Sequence, residues 1–338
     1  MSNNETPFEK FLNQFDEEDW NAAVTELLPS IHEVDRAATQ IWFKFYPLKL
    51  FRVLQNAENP EALVKKFLIQ GKYKLVAQVD ESHKFLYGHR YWPSVKKAVE
   101  ARAETFSPTG HEKLAGEISK VAQPVAAQTK TDESLLVGIT AVAFMTLVQA
   151  GLKAMKAAPG KMSIDTRHTK LSPEKVLAQR AKDDSQGLLG FLKTVDKNWT
   201  ITYDENTNSA FRLINEEEIA SGAARDNSKN WRAMDERCIE GPIPVECRSA
   251  ACGTCWVGVL GGAEKLSDVG RLEGTRVKEF GYIETDEKKP LIRLACQAKS
   301  YGAVSIVIPP WNGFFGKYLK KLENGEEEAL AATADTAS

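Results

Sequence analysis

Four cysteines constrain this chain more than any other feature. They read Cys247-Arg-Ser-Ala-Ala-Cys252-Gly-Thr-Cys255 and, far downstream, Arg293-Leu-Ala-Cys296. Three thiols on one short loop plus a remote fourth suit two bridged irons, because two tetrahedra sharing two sulfides need four thiolates to close. Such a loop wraps a small cluster only if the residues between the ligands are small. Arg248 aside, Ser249, Ala250, Ala251, Gly253 and Thr254 meet that condition, so their backbone N–H groups can turn toward the sulfurs and help set the reduction potential. Cys247, Cys252, Cys255 and Cys296 are the candidate metal ligands, and the six residues between the first three are candidate cofactor contacts.

Other chemistries compete for the same thiols. Zinc sites favour paired C-x₂₋₄-C units, whereas here the grouping is three plus one and the fourth lies in an apolar, strand-like run. Ordinary buried thiols are the other option. Disulfides fit poorly: no signal peptide is evident, and 338 residues can bury a core without staples. The fifth cysteine, Cys238, sits in the helical-looking run Asn230-Trp-Arg-Ala-Met-Asp-Glu-Arg-Cys-Ile239 and reads as a buried small side chain.

The segment from about Asn198 to Pro310 resembles the [2Fe–2S] ferredoxin domain of the plant-type, β-grasp family. The matching pieces are Cys-Arg-x-x-x-Cys-Gly-x-Cys at 247–255, Arg-Leu-Ala-Cys-Gln at 293–297 and the closing run Gly302-Ala-Val-Ser-Ile-Val-Ile-Pro309. The resemblance implies a β-grasp sheet and a [2Fe–2S] cofactor. It puts Cys247 and Cys252 on the more exposed iron and Cys255 and Cys296 on the inner one. The gap before Cys296 is longer than in the family, so 261–290 reads as an insertion with a short helix after Ser267. That departure bears on partner choice rather than on cluster binding.

The whole chain is expected to be α+β: a helical N-terminal half with one long apolar helix, then the ferredoxin-like domain. Residues 1–106 show helical spacing, as in Ile31, Val34, Ala38, Ile41 and Trp42, and cap signals such as Asn59-Pro60. Two aromatic runs with interleaved cations, 41–52 and 83–92, fit a membrane-interface or docking face, or a packed core with solvated Lys and Arg. Residues 107–133 read as a linker and 157–196 as a polar connector. The ferredoxin-like domain is expected over 197–322, opened by a hairpin from Trp199, with further strands at 255–260 and 303–309. A disordered, acidic tail is expected over 323–338. The segment from Trp311 to Lys321 either folds back over its own sheet or anchors in a groove of the helical half or a partner.

Leu135–Leu152 is eighteen residues without a charge, so 134–156 is expected as an apolar helix. A helix apolar all round is a buried core helix or a membrane span, and eighteen is short for the latter. As an anchor, the lysines that follow it would keep the ferredoxin-like domain on the cytoplasmic side of the cell or inner membrane. As a core element it would pack on the chain or on partner subunits. Net charge is −2, which argues against a nucleic-acid binder. The acids gather in 1–35 and the bases in 37–105.

No dinucleotide fingerprint, P-loop or nucleophile–base pair is evident, so the chain is not expected to be an enzyme by itself. A cluster with four protein ligands passes one electron. The expected role is a cytoplasmic electron carrier tethered to a membrane or redox complex, working between redox protein partners. A relay and docking subunit of a larger oxidoreductase, and a redox sensor, are the alternatives.

Overall fold

Caps written into the sequence start the first helices. Thr6 and Asp16 each form a capping box with the acid three residues on, Glu9 and Asp19, opening α1 (Pro7–Asn13) and α2 (Glu17–Leu27). Then come α3 (Glu33–Phe45), α4 (Leu48–Asn56), α5 (Pro60–Lys66), β1 (Gln70–Gly71), α6 (Trp92–Thr105), α7 (Leu114–Thr129) and α8 (Ser134–Ala157). The computed structural model describes residues 5–162, 164–182, 197–282 and 288–324.

A helix, α7, occupies most of the stretch expected as a linker. Its buried residues, Leu114, Ile118, Val121, Ala122 and Val125 among them, recur at the helical period. Ala115, Ala122 and Ala126 on the same buried face let neighbouring elements approach closely, so the stretch is a packed helix and not a linker. The long apolar helix is α8. Every residue from Leu135 to Val148 is buried, and α1, α2, α3, α6 and α7 pack around it. By length and composition it could cross a membrane; here the chain's own helices cover it. At Gly151 the backbone turns to φ 79°, and the freed Leu152 N–H donates to Glu9 Oε1 at 2.9 Å. The kink thus has a local cause. Both aromatic runs lie in the core, with Trp42, Phe45, His83, His89 and Trp92 essentially inaccessible.

Beyond α9 (Thr166–Thr169) and α10 (Pro173–Ala181) comes the sheet domain: β2 (Asn198–Asp204), β3 (Ser209–Ile214), α11 (Ile219–Ala224), α12 (Trp231–Met234), β4 (Trp256–Gly261), α13 (Arg271–Phe280), β5 (Ile292–Leu294), β6 (Val304–Val307), β7 (Trp311–Asn312) and α14 (Gly316–Glu323). Five strands form one sheet in the order β3-β2-β6-β4-β5. The first and last strands of this sheet, β2 and β6, run parallel at its centre with Ile201 opposite Val304; its other pairs are antiparallel. This is a β-grasp arrangement. The hairpin expected from Trp199 is β2–β3, and the helix expected after Ser267 is α13. The helical run around Cys238 shrinks to the single turn of α12. Cys238 itself is buried, its thiol donating to Pro242 O at 3.4 Å, and burial pushes it up to about 11.

The two halves share one continuous core running from Phe8 to Phe315. The α3 face lies on β4: the Phe45 ring stands 5.0 Å from Trp256, and Ile41 fills the space above Gly258. Arg180 of α10 pins the halves together. It donates to Val34 O at 2.7 Å and to both Glu205 oxygens at 2.7 and 2.9 Å, a bidentate, nearly buried pair. The Trp311 segment meets both of its expected settings at once. β7 pairs with β1 of the helical half, Trp311 Nε1 donates to Phe45 O at 2.7 Å, and Tyr318 packs on Phe67. Meanwhile Phe315 packs on Tyr282 of its own domain. Helix α14 carries order to Glu323, which pairs with Lys49 at 2.8 Å, so the tail expected from 323 cannot start there. Its remainder, 325–338, and residues 183–196 of the expected polar connector lie outside the described residues.

Candidate metal centre

The loop from Val245 to Cys255 leads into β4, and left-handed backbone gives it its shape. Arg248 (φ 53°), Ala250 (φ 59°) and Gly253 (φ 72°) all take positive φ. That is uncommon for residues with a Cβ, and two of them within three residues turn successive amides to one side. Ser249 N and Ala251 N donate to Cys247 Sγ at 3.4 and 3.2 Å. The Ala250 amide faces Cys296. Thr254 Oγ1 is 3.1 Å from Cys252 Sγ. Gly253 is required by space: a Cβ there would meet the Phe280 ring at 2.9 Å.

The four thiols gather as two pairs, Cys247 with Cys252 and Cys255 with Cys296, each within hydrogen-bonding reach. The first pair is half-buried; Cys255 and Cys296 are 2% and 6% exposed. Among the described residues no three His, Cys, Asp or Glu side chains gather closely enough to hold one ion. Two pairs at two depths suit two bridged irons better than a single zinc, which needs its ligands around one point.

Each pair also holds one acidified thiol. Burial works to raise Cys247, but the Ser249 amide and the Cys252 thiol outweigh it and bring it to about 7. The hydrogen bond from Cys255 brings Cys296 down to about 6, and Cys255 is raised in turn. Burial raises Cys252. Metal binding needs thiolates, so one thiolate per pair is within easy reach before any iron arrives.

Of the six loop residues singled out by spacing, Ser249, Ala250 and Ala251 bring amides to sulfur, Thr254 a hydroxyl, and Gly253 only its lack of a side chain. Arg248 turns away and pairs with Glu240 at 2.5 Å in the open. Spacing alone missed four residues. Gln297 Nε2 lies 3.5 Å from Cys296 Sγ. Arg293, two residues before Ala295, is buried against Glu273 with N–O distances of 2.9 Å, and Glu273 also accepts from Leu294 N at 2.8 Å. Tyr282 backs the loop. Arg293 and Gln297 stand in the Arg-Leu-Ala-Cys-Gln string; Glu273 and Tyr282 carry no local signal.

Residues 224–300 match the family of the 2Fe-2S iron-sulfur cluster binding domain. This iron–sulfur domain carries all four cysteines, and the helical half lies outside it. No curated protein and no solved structure matches the chain. The family binds a [2Fe–2S] cluster, so the domain has the capacity for one-electron transfer.

Proposed function

We propose that this protein is a one-electron carrier whose [2Fe–2S] cluster is held by Cys247, Cys252, Cys255 and Cys296. The observation that carries the reading is the pairing of those thiols at two depths, with amides of Ser249, Ala250 and Ala251 directed at sulfur. A cluster with four protein ligands leaves no open position for a substrate; it holds and passes an electron. Burial of Cys255 and Cys296 leaves the Cys247–Cys252 edge, with exposed Ser249 and Ala251, as the side where redox protein partners exchange electrons. The helical half closes the opposite flank through Phe45, whose ring packs on Trp256 and whose carbonyl accepts from Trp311 Nε1.

The shared core favours a second reading, a relay subunit of a larger oxidoreductase. A helical body fixed to the cluster domain offers a wide, rigid surface for permanent partners. In both readings α8 serves as the core of the helical body and not as an anchor, since its apolar surface is already covered by the chain's own helices. Cysteines free of disulfides suit a reducing compartment, and the cytoplasm is the location we propose.

An anaerobic titration with dithionite tests the electron count. The visible absorption should bleach after one electron equivalent per chain; two equivalents, or no bleaching, would contradict the reading.

A further inference from the structure

A second site opens on the far side of the cluster. A cleft of about 300 Å³ lies between α4, α5 and the 73–76 segment. Its walls are mostly apolar, with the rings of Phe45, Phe51, Tyr73 and Trp311 beside Leu50 and Leu54. Size and lining match ordinary small-molecule sites, which are mostly apolar with a few polar groups. The polar groups here are few. Gln149 lines the cleft and spends its Nε2 on Tyr46 O at 2.9 Å. The buried Tyr46 hydroxyl approaches Gln78 without completing a hydrogen bond. The only charged residue in the lining is Lys74, whose ammonium sits 5.5 Å from the Tyr73 ring.

The walls also touch the cluster's own support. Phe45 and Trp311 line the cleft, and both pack on Trp256, with ring centroids 5.0 and 5.7 Å apart. Trp256 Nε1 donates to Trp311 O at 3.0 Å, and Trp256 follows Cys255 directly in the chain. The cleft wall therefore touches the residue bonded to the inner cysteine, and the Trp256 ring lies between the wall and that cysteine's backbone.

We propose that the cleft binds a planar, uncharged, redox-active ring of the quinone class and that the cluster exchanges electrons with it past Trp256. The proposal rests on the cluster reading above. Nicotinamide and flavin nucleotides carry phosphates, which call for several cations or a glycine-rich helix start; one lysine already seated over an aromatic ring supplies neither. An uncharged ring fits aromatic walls by stacking. The stoichiometry closes over two turnovers. Each reduced cluster gives up one electron, and the quinone takes two electrons and two protons from solvent at the cleft mouth to become the hydroquinone.

Stopped-flow reoxidation of the full-length, dithionite-reduced protein by duroquinone tests this. The rate should level off as duroquinone rises. Leu54→Trp, which fills the cleft, and Val76→Trp, at its lip where the native side chain is 52% exposed, should each raise the half-saturating concentration about tenfold. Both should keep the EPR signal of the reduced cluster. A rate proportional to duroquinone with no plateau, equal in native and filled proteins, would overturn the proposal and place the reaction at the exposed Cys247–Cys252 edge. A protein with no iron and no reduced EPR signal would overturn the cluster reading itself, and this proposal with it.

Discussion

Tyr282 lies flat on Trp256, ring centroids 3.8 Å apart and planes 6° from parallel. Its hydroxyl donates to Gly313 O at 2.7 Å, lies 3.1 Å from Gly253 O and accepts the Gly313 N–H at 2.9 Å. One side chain thereby ties the cysteine loop to the segment that docks on the helical half. Tyr282→Phe keeps the stack and removes the tie, leaving the buried Gly313 N–H unpaired. The expected cost is about 1–3 kcal/mol, read as a lower urea midpoint, with faster bleaching of the visible spectrum in air. An unchanged midpoint would show that the hydroxyl contributes nothing.

Glu273 and Arg293 form a pair with side chains 2% and 1% exposed. Glu273→Ala leaves the guanidinium buried without its carboxylate and removes the acceptor of Leu294 N–H. Breaking one side of a buried pair costs about 3–5 kcal/mol. Since Arg293 and Leu294 lead straight into Cys296, iron content after purification should fall along with stability. Full iron content and native stability in Glu273→Ala would contradict this.

Gly258 is where the helical half meets the sheet. A Cβ there would come within 2.5 Å of Ile41 Cγ2 and 2.9 Å of Val307 Cγ1. Gly258→Ala should cost about 1–3 kcal/mol through overpacking. Ile41→Ala makes room, so the double variant should lose less than the sum of the two singles. Strict additivity in a double-mutant cycle would mean that α3 does not rest on β4 as described.

His83 and His89 bury their rings together, Nδ1 to Nδ1 at 2.9 Å. Burial disfavours a second proton on either ring, so with His83 Nε2 donating to Val79 O its Nδ1 accepts from His89 Nδ1–H. Burial, with Lys84 and Arg90 nearby, holds His89 down to about 4, and burial also holds His83 well below its ordinary value. The unfolded chain therefore takes up protons below about pH 6.5 that the folded chain refuses. Stability from this pair is fully present above pH 6.5 and is lost as pH falls toward 4. Asp35 runs the other way, since burial raises its carboxyl to about 6. The urea midpoint of native protein should fall more between pH 7.5 and 5 than that of His89→Gln. Equal slopes would remove the histidine pair as the cause.

The cluster loop was legible in the sequence because its chemistry is local: ligand spacing and small intervening residues determine it together. The β2–β3 hairpin was legible for the same reason. The setting of α8 was not, because a core helix and a membrane span have the same all-round apolar composition, and only the elements packed around it decide. Helix α7 was hidden by small side chains and Pro124. Glu273 and Tyr282 act on Arg293 and Gly313, partners far along the chain that only the fold brings together.

The central claim is the cluster and its four ligands. Iron and acid-labile sulfide should each analyse at two per chain, and the dithionite-reduced protein should give a rhombic EPR signal. Serine at Cys247, Cys252, Cys255 or Cys296 should abolish or cripple that signal, while Cys238→Ser keeps it. One zinc per chain with no reduced signal, or a native signal that survives loss of one of the four but not of Cys238, would contradict the account.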